Sequence, residues 1–138
     1  MREFIFVYGT LRPPQGGSNP VLSFNYPQIV PFLHGVEQAV LFGAELYGLG
    51  SFPAAIPGDG EIFGDLLEID PAAFEVLDPL EGHPEVYRRE RVRVRTEGGD
   101  VEAWIYWAPE ELSLTGVRIE DGNWLGPEKG DRGGENPS

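Results

Sequence analysis

The chain has 138 residues, 41% of them hydrophobic, which suits one domain with its own core. Its 23 acidic residues outnumber ten basic ones, and a net charge of −13 repels phosphate backbones, so we expect no nucleic-acid partner. The sequence contains no cysteine, which excludes disulfides, thiolate nucleophiles and cysteine-based zinc sites.

The two ends of the chain suggest a compartment and a domain boundary. No apolar run approaches the roughly 20 residues of a membrane-spanning helix. The N-terminus lacks the apolar segment of a signal peptide. We therefore expect a cytoplasmic protein with no membrane partner. Residues 126–138 are rich in glycine, proline and charge without apolar periodicity, so we expect a domain over residues 1–125 and a disordered tail over 126–138.

The first predicted element is a buried strand over Phe4–Tyr8, a continuous run of aromatic and β-branched residues. Residues 12–31 are loop-like, with a helical turn suggested after Asn19 and Pro20. Strand character resumes over Val36–Leu49. Glycines such as Gly43 interrupt it, and such glycines often mark bulges or barrel corners.

The second half alternates one helix with further strands. Asp70 can cap a helix and Pro71 suits its first position, so a helix is predicted to start there. Further strands are predicted over Phe52–Ile56, Ile62–Ile69, Tyr87–Thr96 and Val101–Ala108, the last two joined by a hairpin turn at residues 97–100. Six strands with glycine corners and one or two short helices indicate a small closed or nearly closed barrel with helices outside it.

The loop Tyr8-Gly9-Thr10-Leu11 is the first candidate site. Glycine at a strand end lets the backbone approach a ligand, and successive amides after such a turn can bind a carboxylate or phosphate. The alternative is that Gly9 only turns the chain. No Gly-Lys-Ser/Thr follows, so the loop is not of the nucleotide-binding type.

Glu81 is the second candidate. On one continuous helix it would share a face with Phe74 and Leu77, and would therefore point inward. Loss of solvation raises the pKa of a carboxylate, which suits a general base near neutral pH. The alternative is that the helix restarts at Pro79, with Asp78 and Glu81 forming a capping box.

The remaining candidates have plainer interpretations. His34 and His83 lie 49 positions apart without acidic partners at ligand spacing, so we expect no metal site, and His83 is expected in an exposed loop. No serine lies in a Gly-x-Ser-x-Gly elbow. The alternating arginines of residues 88–95 indicate a solvated strand face. Trp104 and Tyr106 share one strand face and are expected in the core, where one can wall a pocket.

Together these pieces resemble the γ-glutamylcyclotransferase-like, or AIG2-like, family over about residues 3 to 125. Val-Tyr-Gly-Thr-Leu-Arg at 7–12 matches the family's glycine loop, and Leu-Asp-x-x-Glu-Gly at 77–82 matches its glutamate motif. Phe-Gly-Asp-Leu-Leu at 63–67 and Ala-Trp-Ile-Tyr at 103–106 follow the same order. The chain departs from the family at residues 121–125, where Asp-Gly-Asn-Trp-Leu replaces a motif ending in arginine.

The resemblance implies an α+β fold, a mixed six-stranded β-barrel flanked by short α-helices. It also implies that backbone amides of the glycine loop hold the substrate's α-carboxylate and that Glu81 is the catalytic acid/base. The substrate-binding positions carried over are Tyr8, Gly9, Thr10, Leu11 and Tyr87.

The implied reaction is cyclisation of a γ-glutamyl amide or amine to 5-oxoproline with release of an amine or amino acid, without metal or cofactor. A small-molecule γ-glutamyl compound is then the partner, and the leaving group stays open among glutathione-derived compounds, amino acids and amines, including a γ-glutamyl protecting group on a biosynthetic amine. The alternatives are a non-catalytic small-molecule-binding module of the same fold and an interaction protein without a pocket. Oligomeric state is also open.

Overall fold

The computed structural model describes residues 2–14, 25–50 and 52–124. The predicted helical turn after Asn19-Pro20 and the predicted tail over 126–138 lie outside these ranges. No helix among the described residues is long and apolar enough to cross a membrane. The elements are β1 (Glu3–Val7), β2 (Leu33–Gly48), β3 (Pro53–Ile69), α1 (Phe74–Glu81), β4 (Arg88–Thr96), β5 (Gly99–Trp107) and β6 (Val117–Arg118), with short 3₁₀ segments between them.

The strands close into a barrel. Their order is β3-β1-β5-β4-β2, and the long antiparallel pairing of β2 with β3 completes the ring, while β6 pairs with the end of β2. Strands β1 and β5 run parallel, with Ile5 opposite Trp104, and the other pairs are antiparallel. The predicted mixed six-stranded barrel is confirmed, with one α-helix in the described part of the chain.

Two strand predictions differ from the structure. The predicted runs Phe52–Ile56 and Ile62–Ile69 are one strand, β3, because pairing with β2 continues on both sides of a bulge, with Pro57 opposite Ala44 and Glu61 opposite Phe42. The extra length is absorbed at a bulge beside Gly43, whose φ of 82° is one that glycine adopts without strain. The sixth strand is instead Val117–Arg118, which is too short to leave a pattern in the sequence.

The core has two parts, one on each side of β1. Phe6 and Tyr8 point into the barrel interior, where they join a large apolar cluster. Ile5 and Val7 alternate with them and pack in a second cluster that includes Leu77 of α1. Burial on both faces explains why β1 is a continuous apolar run. Each such side chain contributes roughly 1.5–3 kcal/mol when fully buried.

The helix differs from both sequence-based interpretations: it does not start at Pro71, and it does not restart at Pro79. Asp70 occupies the cap position, but its carboxylate makes no capping hydrogen bond, and a 3₁₀ turn over Pro71–Ala73 precedes α1. The helix then runs through Pro79 and ends at Gly82, where φ is 72°. The capping-box alternative at residues 78–81 is therefore wrong, because Pro79 lies inside a helix rather than at the start of one.

Candidate active site

A cavity of about 410 Å³ opens between the end of β1, the start of β3 and the C-terminal end of α1. This volume lies within the range of roughly 300–1,000 Å³ usual for small-molecule sites. All six residues predicted for the site line it: Tyr8, Gly9, Thr10, Leu11, Glu81 and Tyr87. The structure thus brings the glycine loop and the glutamate motif, about 70 residues apart in sequence, to one concave surface.

Hydrogen bonds with Arg12 and Asn25 hold the glycine loop in place, while three of its own amides have no acceptor among the described residues. The Arg12 amide donates to the Gly9 carbonyl at 2.9 Å and closes the turn. Asn25 binds Thr10 twice, from its amide to the Thr10 carbonyl at 3.1 Å and from Nδ2 to Oγ1 at 2.7 Å. Within the described residues, the amides of Gly9, Thr10 and Leu11 donate to no acceptor. Such amides at a cavity are suited to bind an anion.

Glycine is required at position 9 by packing. Its φ is not in the left-handed region, so the turn itself can be made by other residues. A Cβ at Gly9, however, would lie 2.6 Å from Cγ and 2.7 Å from Cδ of the Pro53 ring. The interpretation that Gly9 only turns the chain is therefore incomplete: glycine lets the loop lie directly against the first residue of β3, which lines the same cavity.

Glu81 lies half-buried at the last position of α1. Burial raises the pKa of its carboxyl from the ordinary 4.5 to about 7. Among the described residues, no side chain donates a hydrogen bond to this carboxylate. Burial also raises the pKa of Tyr8 and Tyr87 well above 10, and the nearby Glu81 charge adds to both shifts, so the two phenols keep their protons.

The two phenols are also fixed in place. Tyr8 Oη donates to the Tyr106 carbonyl at 2.6 Å, and Tyr87 Oη donates to the Pro53 carbonyl at 3.2 Å. These bonds tie the cavity wall to β5 and β3. Tyr87 is thereby held beside Glu81 without contributing a charge.

Asp78 lies three positions before Glu81 on the helix and is fully paired. It accepts two hydrogen bonds from Arg89 at 2.8 and 2.9 Å and one from Tyr106 Oη at 2.6 Å. Burial alone would raise the pKa of Asp78, but these hydrogen bonds outweigh it and the pKa is lowered. The Arg89 guanidinium also lies over the Phe74 ring at 4.1 Å. This cluster binds the end of α1 to β4 and β5.

A second buried cluster lies behind the glycine loop. Arg12 is 7% exposed and Asp65 is 3% exposed, and Nε of Arg12 donates to Oδ2 of Asp65 at 2.7 Å. Nη1 of Arg12 donates to Oδ1 of Asn123 at 3.0 Å. The loop is thus anchored both to β3 and to the chain segment that follows β6.

Sequence reasoning missed these two clusters. One signal was present for each: Asp65 is an acid inside the apolar run Phe63–Leu67, and Arg89 has the same strand spacing as Arg91, Arg93 and Arg95. The last three are exposed, as predicted, but Arg89 is half-buried. The prediction of a plain exposed loop at His83 was wrong, because His83 is half-buried and its Nδ1 accepts the Arg89 amide at 3.0 Å. Trp104 and Tyr106 share one face, and Tyr106 lines the cavity.

Comparison with known proteins adds to this geometry. The sequence profile of the family described as "Gamma-glutamyl cyclotransferase, AIG2-like" matches residues 5–126. The gamma-glutamylcyclotransferase family protein ytfP of Citrobacter rodentium is 35% identical over 128 residues, covering 88% of this chain and 94% of the relative. A Bos taurus protein named gamma-glutamylaminecyclotransferase is 28% identical over 129 residues, covering 80% of this chain and 70% of its own length.

A solved structure shares the fold. The solution structure of ytfP from Escherichia coli superposes with a TM-score of 0.63 at 31% identity and covers 97% of this chain and all of its own. The match spans the barrel, the helix and both motifs that line the cavity.

Proposed function

The chain belongs to the gamma-glutamyl cyclotransferase, AIG2-like family, and from this premise we propose that it cyclises a γ-glutamyl amide or amine to 5-oxoproline. The amine or amino acid on the γ-carbonyl leaves, and Glu81 is the general acid/base. The observation that carries the proposal is a half-buried carboxylate with a pKa of about 7, in the same cavity as three amides that donate to no acceptor in the described part of the chain.

The substrate supplies its own nucleophile. The α-amino nitrogen attacks the γ-carbonyl carbon, a carbon–nitrogen bond closes the five-membered lactam, and the bond to the leaving nitrogen breaks. Because the reaction is intramolecular, a site that holds the glutamyl chain folded supplies much of the acceleration. Amides of Gly9, Thr10 and Leu11 are the proposed ligands of the α-carboxylate, with Tyr8 and Tyr87 as walls beside it.

The reaction also requires proton transfers, in which Glu81 is the proposed acid/base. At neutral pH the α-amine is an ammonium, so it must lose a proton before it attacks. Burial raises the pKa of Glu81 to about 7, which makes its carboxylate a stronger base than an exposed glutamate and so favours this transfer. The same proton then passes to the leaving nitrogen, and the attacking nitrogen loses a second proton as it becomes the lactam amide. This second proton goes to solvent or leaves on the released amine as an ammonium. Glu81 ends the cycle as it began, ionised.

The main alternative is a module that binds such compounds without turning them over. A break in the helix at Pro79, before Glu81, would favour this alternative. The helix instead runs without interruption from Phe74 to Glu81, and Glu81 lines the cavity. Tight binding of γ-glutamyl compounds with no product would still favour that alternative.

The test is release of 5-oxoproline from a panel of γ-glutamyl compounds by wild type and by Glu81→Gln. Loss of the acid/base should lower kcat by about 10²–10⁴-fold. In wild type, kcat/KM should rise with pH through a midpoint near 7, because the ionised form of Glu81 takes the proton.

A matched control is Glu75→Gln, which removes one carboxylate from the exposed side of the same helix. This variant should keep wild-type turnover and the same pH midpoint. Full activity in Glu81→Gln, or equal losses in both variants, would rule out Glu81 as the acid/base.

A further inference from the structure

We infer that the leaving group of the proposed reaction is an apolar amine that carries neither a carboxylate nor a second positive charge. This inference rests on the proposed function, because it concerns the second half of the same substrate. It is carried by the distribution of exposed apolar side chains and of cations around the cavity.

The cavity has a buried floor formed by the glycine loop and an exposed apolar mouth. Tyr8, Thr10 and Leu11 at the floor are 7%, 9% and 6% exposed. At the mouth, Phe52, Leu80 and Val86 are 40%, 38% and 52% exposed, and all three line the cavity. The glutamyl half, which carries an ammonium and a carboxylate, matches the floor with its amides and Glu81. The leaving group therefore extends toward the mouth and contacts apolar side chains.

No cation among the described residues faces this cavity. None of its lining residues is Lys, Arg or His. The arginines nearest in sequence to the site residues are engaged elsewhere, Arg12 by Asp65, Arg88 by Glu90 and Arg89 by Asp78. Among the described residues, a carboxylate on the leaving group would therefore enter an apolar mouth without a positive partner.

The charge of the whole chain acts in the same direction. A γ-glutamyl amino acid carries two carboxylates and one ammonium, whereas a γ-glutamyl derivative of an uncharged amine is electrically neutral overall. A protein with a net charge of −13 repels the first compound and leaves the second unaffected. A second ammonium on the leaving group would be attracted at long range, but it would lose hydration against Phe52, Leu80 and Val86.

The experiment compares three substrates of similar size in the 5-oxoproline assay. The γ-glutamyl derivatives of 3-methylbutylamine and of leucine differ only by the carboxylate of leucine. The derivative of 1,4-diaminobutane replaces the branched end with an ammonium. We expect kcat/KM for the 3-methylbutylamine compound to exceed that of each of the others by about tenfold or more. The deficit of the leucine compound should shrink as salt is raised.

Equal or faster turnover of the leucine or diaminobutane compound would overturn the inference while leaving the proposed function intact. Absence of 5-oxoproline from all three compounds, with release from another member of the γ-glutamyl panel, would likewise overturn the inference alone. Absence from the whole panel would overturn the proposed function, and the inference with it. The two failures are therefore distinguishable in one assay.

A gain-of-function variant tests the same point from the protein side. Val86→Arg supplies the missing cation at the mouth and should lower the preference for the 3-methylbutylamine compound over the leucine compound by about fivefold or more. Leu80→Arg is the second variant if the first fails to fold. The control is Val117→Arg, which adds the same charge at a residue 49% exposed on β6 and outside the cavity. An equal change in the control would overturn the inference, because net charge alone would then explain the effect.

Discussion

Asp78 and Glu81 lie three residues apart on one helix and are both partly buried, yet their pKa values shift in opposite directions. Asp78 faces Arg89 and Tyr106, which donate three hydrogen bonds to it. Glu81 faces the cavity, where no described side chain donates to it. The helix supplies the same backbone to both, so the partners on the neighbouring strands decide which carboxylate is structural and which is available for chemistry.

The glycine loop shows the same division. On one side Arg12 is paired with Asp65 and Asn123, and on the other the amides of Gly9, Thr10 and Leu11 have no acceptor among the described residues. Satisfied polar groups thus surround and support unsatisfied ones. The paired and the unpaired groups therefore lead to opposite expectations. Substitutions of the paired, supporting residues should lower the stability of the fold. Substitutions of residues that face the cavity should alter activity, and Glu81→Gln should also raise stability.

The largest effect on stability is expected for Asp65→Ala, which leaves the buried Arg12 guanidinium without its carboxylate. Breaking a buried ion pair from one side costs about 3–5 kcal/mol. Urea unfolding of the variant measures the loss. The double variant Arg12→Met with Asp65→Leu should recover much of it, because no buried charge remains. A loss below about 1 kcal/mol in the single variant would contradict the supporting role of this pair.

The next effect has the opposite sign. The Glu81 carboxyl has a pKa of about 7 in the folded chain and about 4.5 when unfolded, so the unfolded state loses this proton first as the pH rises. Its contribution to the free energy of unfolding therefore falls between pH 4.5 and 7. Glu81→Gln removes this dependence and should be more stable than wild type by about 2 kcal/mol at pH 8, with little difference at pH 4.

Thermal or urea unfolding of both proteins at the two pH values measures this difference. The comparison is internal, since every other titrating group is shared. A variant that is less stable than wild type at pH 8 would show that the Glu81 carboxylate is satisfied in the folded chain and belongs with Asp78.

A smaller effect is expected for Gly9→Ala, where the new Cβ would lie 2.6 Å from the Pro53 ring. Overpacking of this kind costs about 1–3 kcal/mol, and a shift of the loop should also raise KM for γ-glutamyl substrates. The control is Gly98→Ala in the β4–β5 turn, where the nearest atom to a new Cβ is 3.9 Å away. If both variants keep wild-type stability and KM, the contact between the loop and Pro53 does not position the amides.

The smallest effect is expected for Tyr106→Phe. The change removes one hydrogen bond to Asp78 and leaves both bonds from Arg89, so the free energy of unfolding should fall by about 1 kcal/mol. The pH midpoint of activity should stay near 7, because that midpoint belongs to Glu81. A shifted midpoint would indicate that the Asp78 cluster tunes Glu81 as well as positioning the helix.

The sequence predicted the parts of the fold that rest on local pattern. The buried strand β1, the hairpin at residues 97–100 and the inward face of Phe74 and Leu77 follow from spacing over fewer than ten residues. The glycine loop and the glutamate motif were found in the same way. Their residues line one cavity, and the roles assigned to them remain predictions.

The parts that could not be predicted depend on partners far apart in sequence. Arg12 donates hydrogen bonds to Asp65 and Asn123, which lie 53 and 111 residues away in sequence. The local sequence around each of the three residues does not predict which residues it contacts. The sequence predicted two strands in place of the continuous β3 for a related reason. Pro57 and the glycines after it are locally typical of a break, whereas pairing with the long strand β2 resumes at Glu61.

The hydrogen bond from Arg12 to Asn123 joins two residues that are synthesised at different times. Arg12, which follows the loop, is translated 111 residues before Asn123. Asn123 lies in a segment bound to β3 through Gly122, whose carbonyl accepts the Phe63 amide at 2.8 Å. A nascent chain therefore carries its binding loop well before the residues that complete the support of that loop.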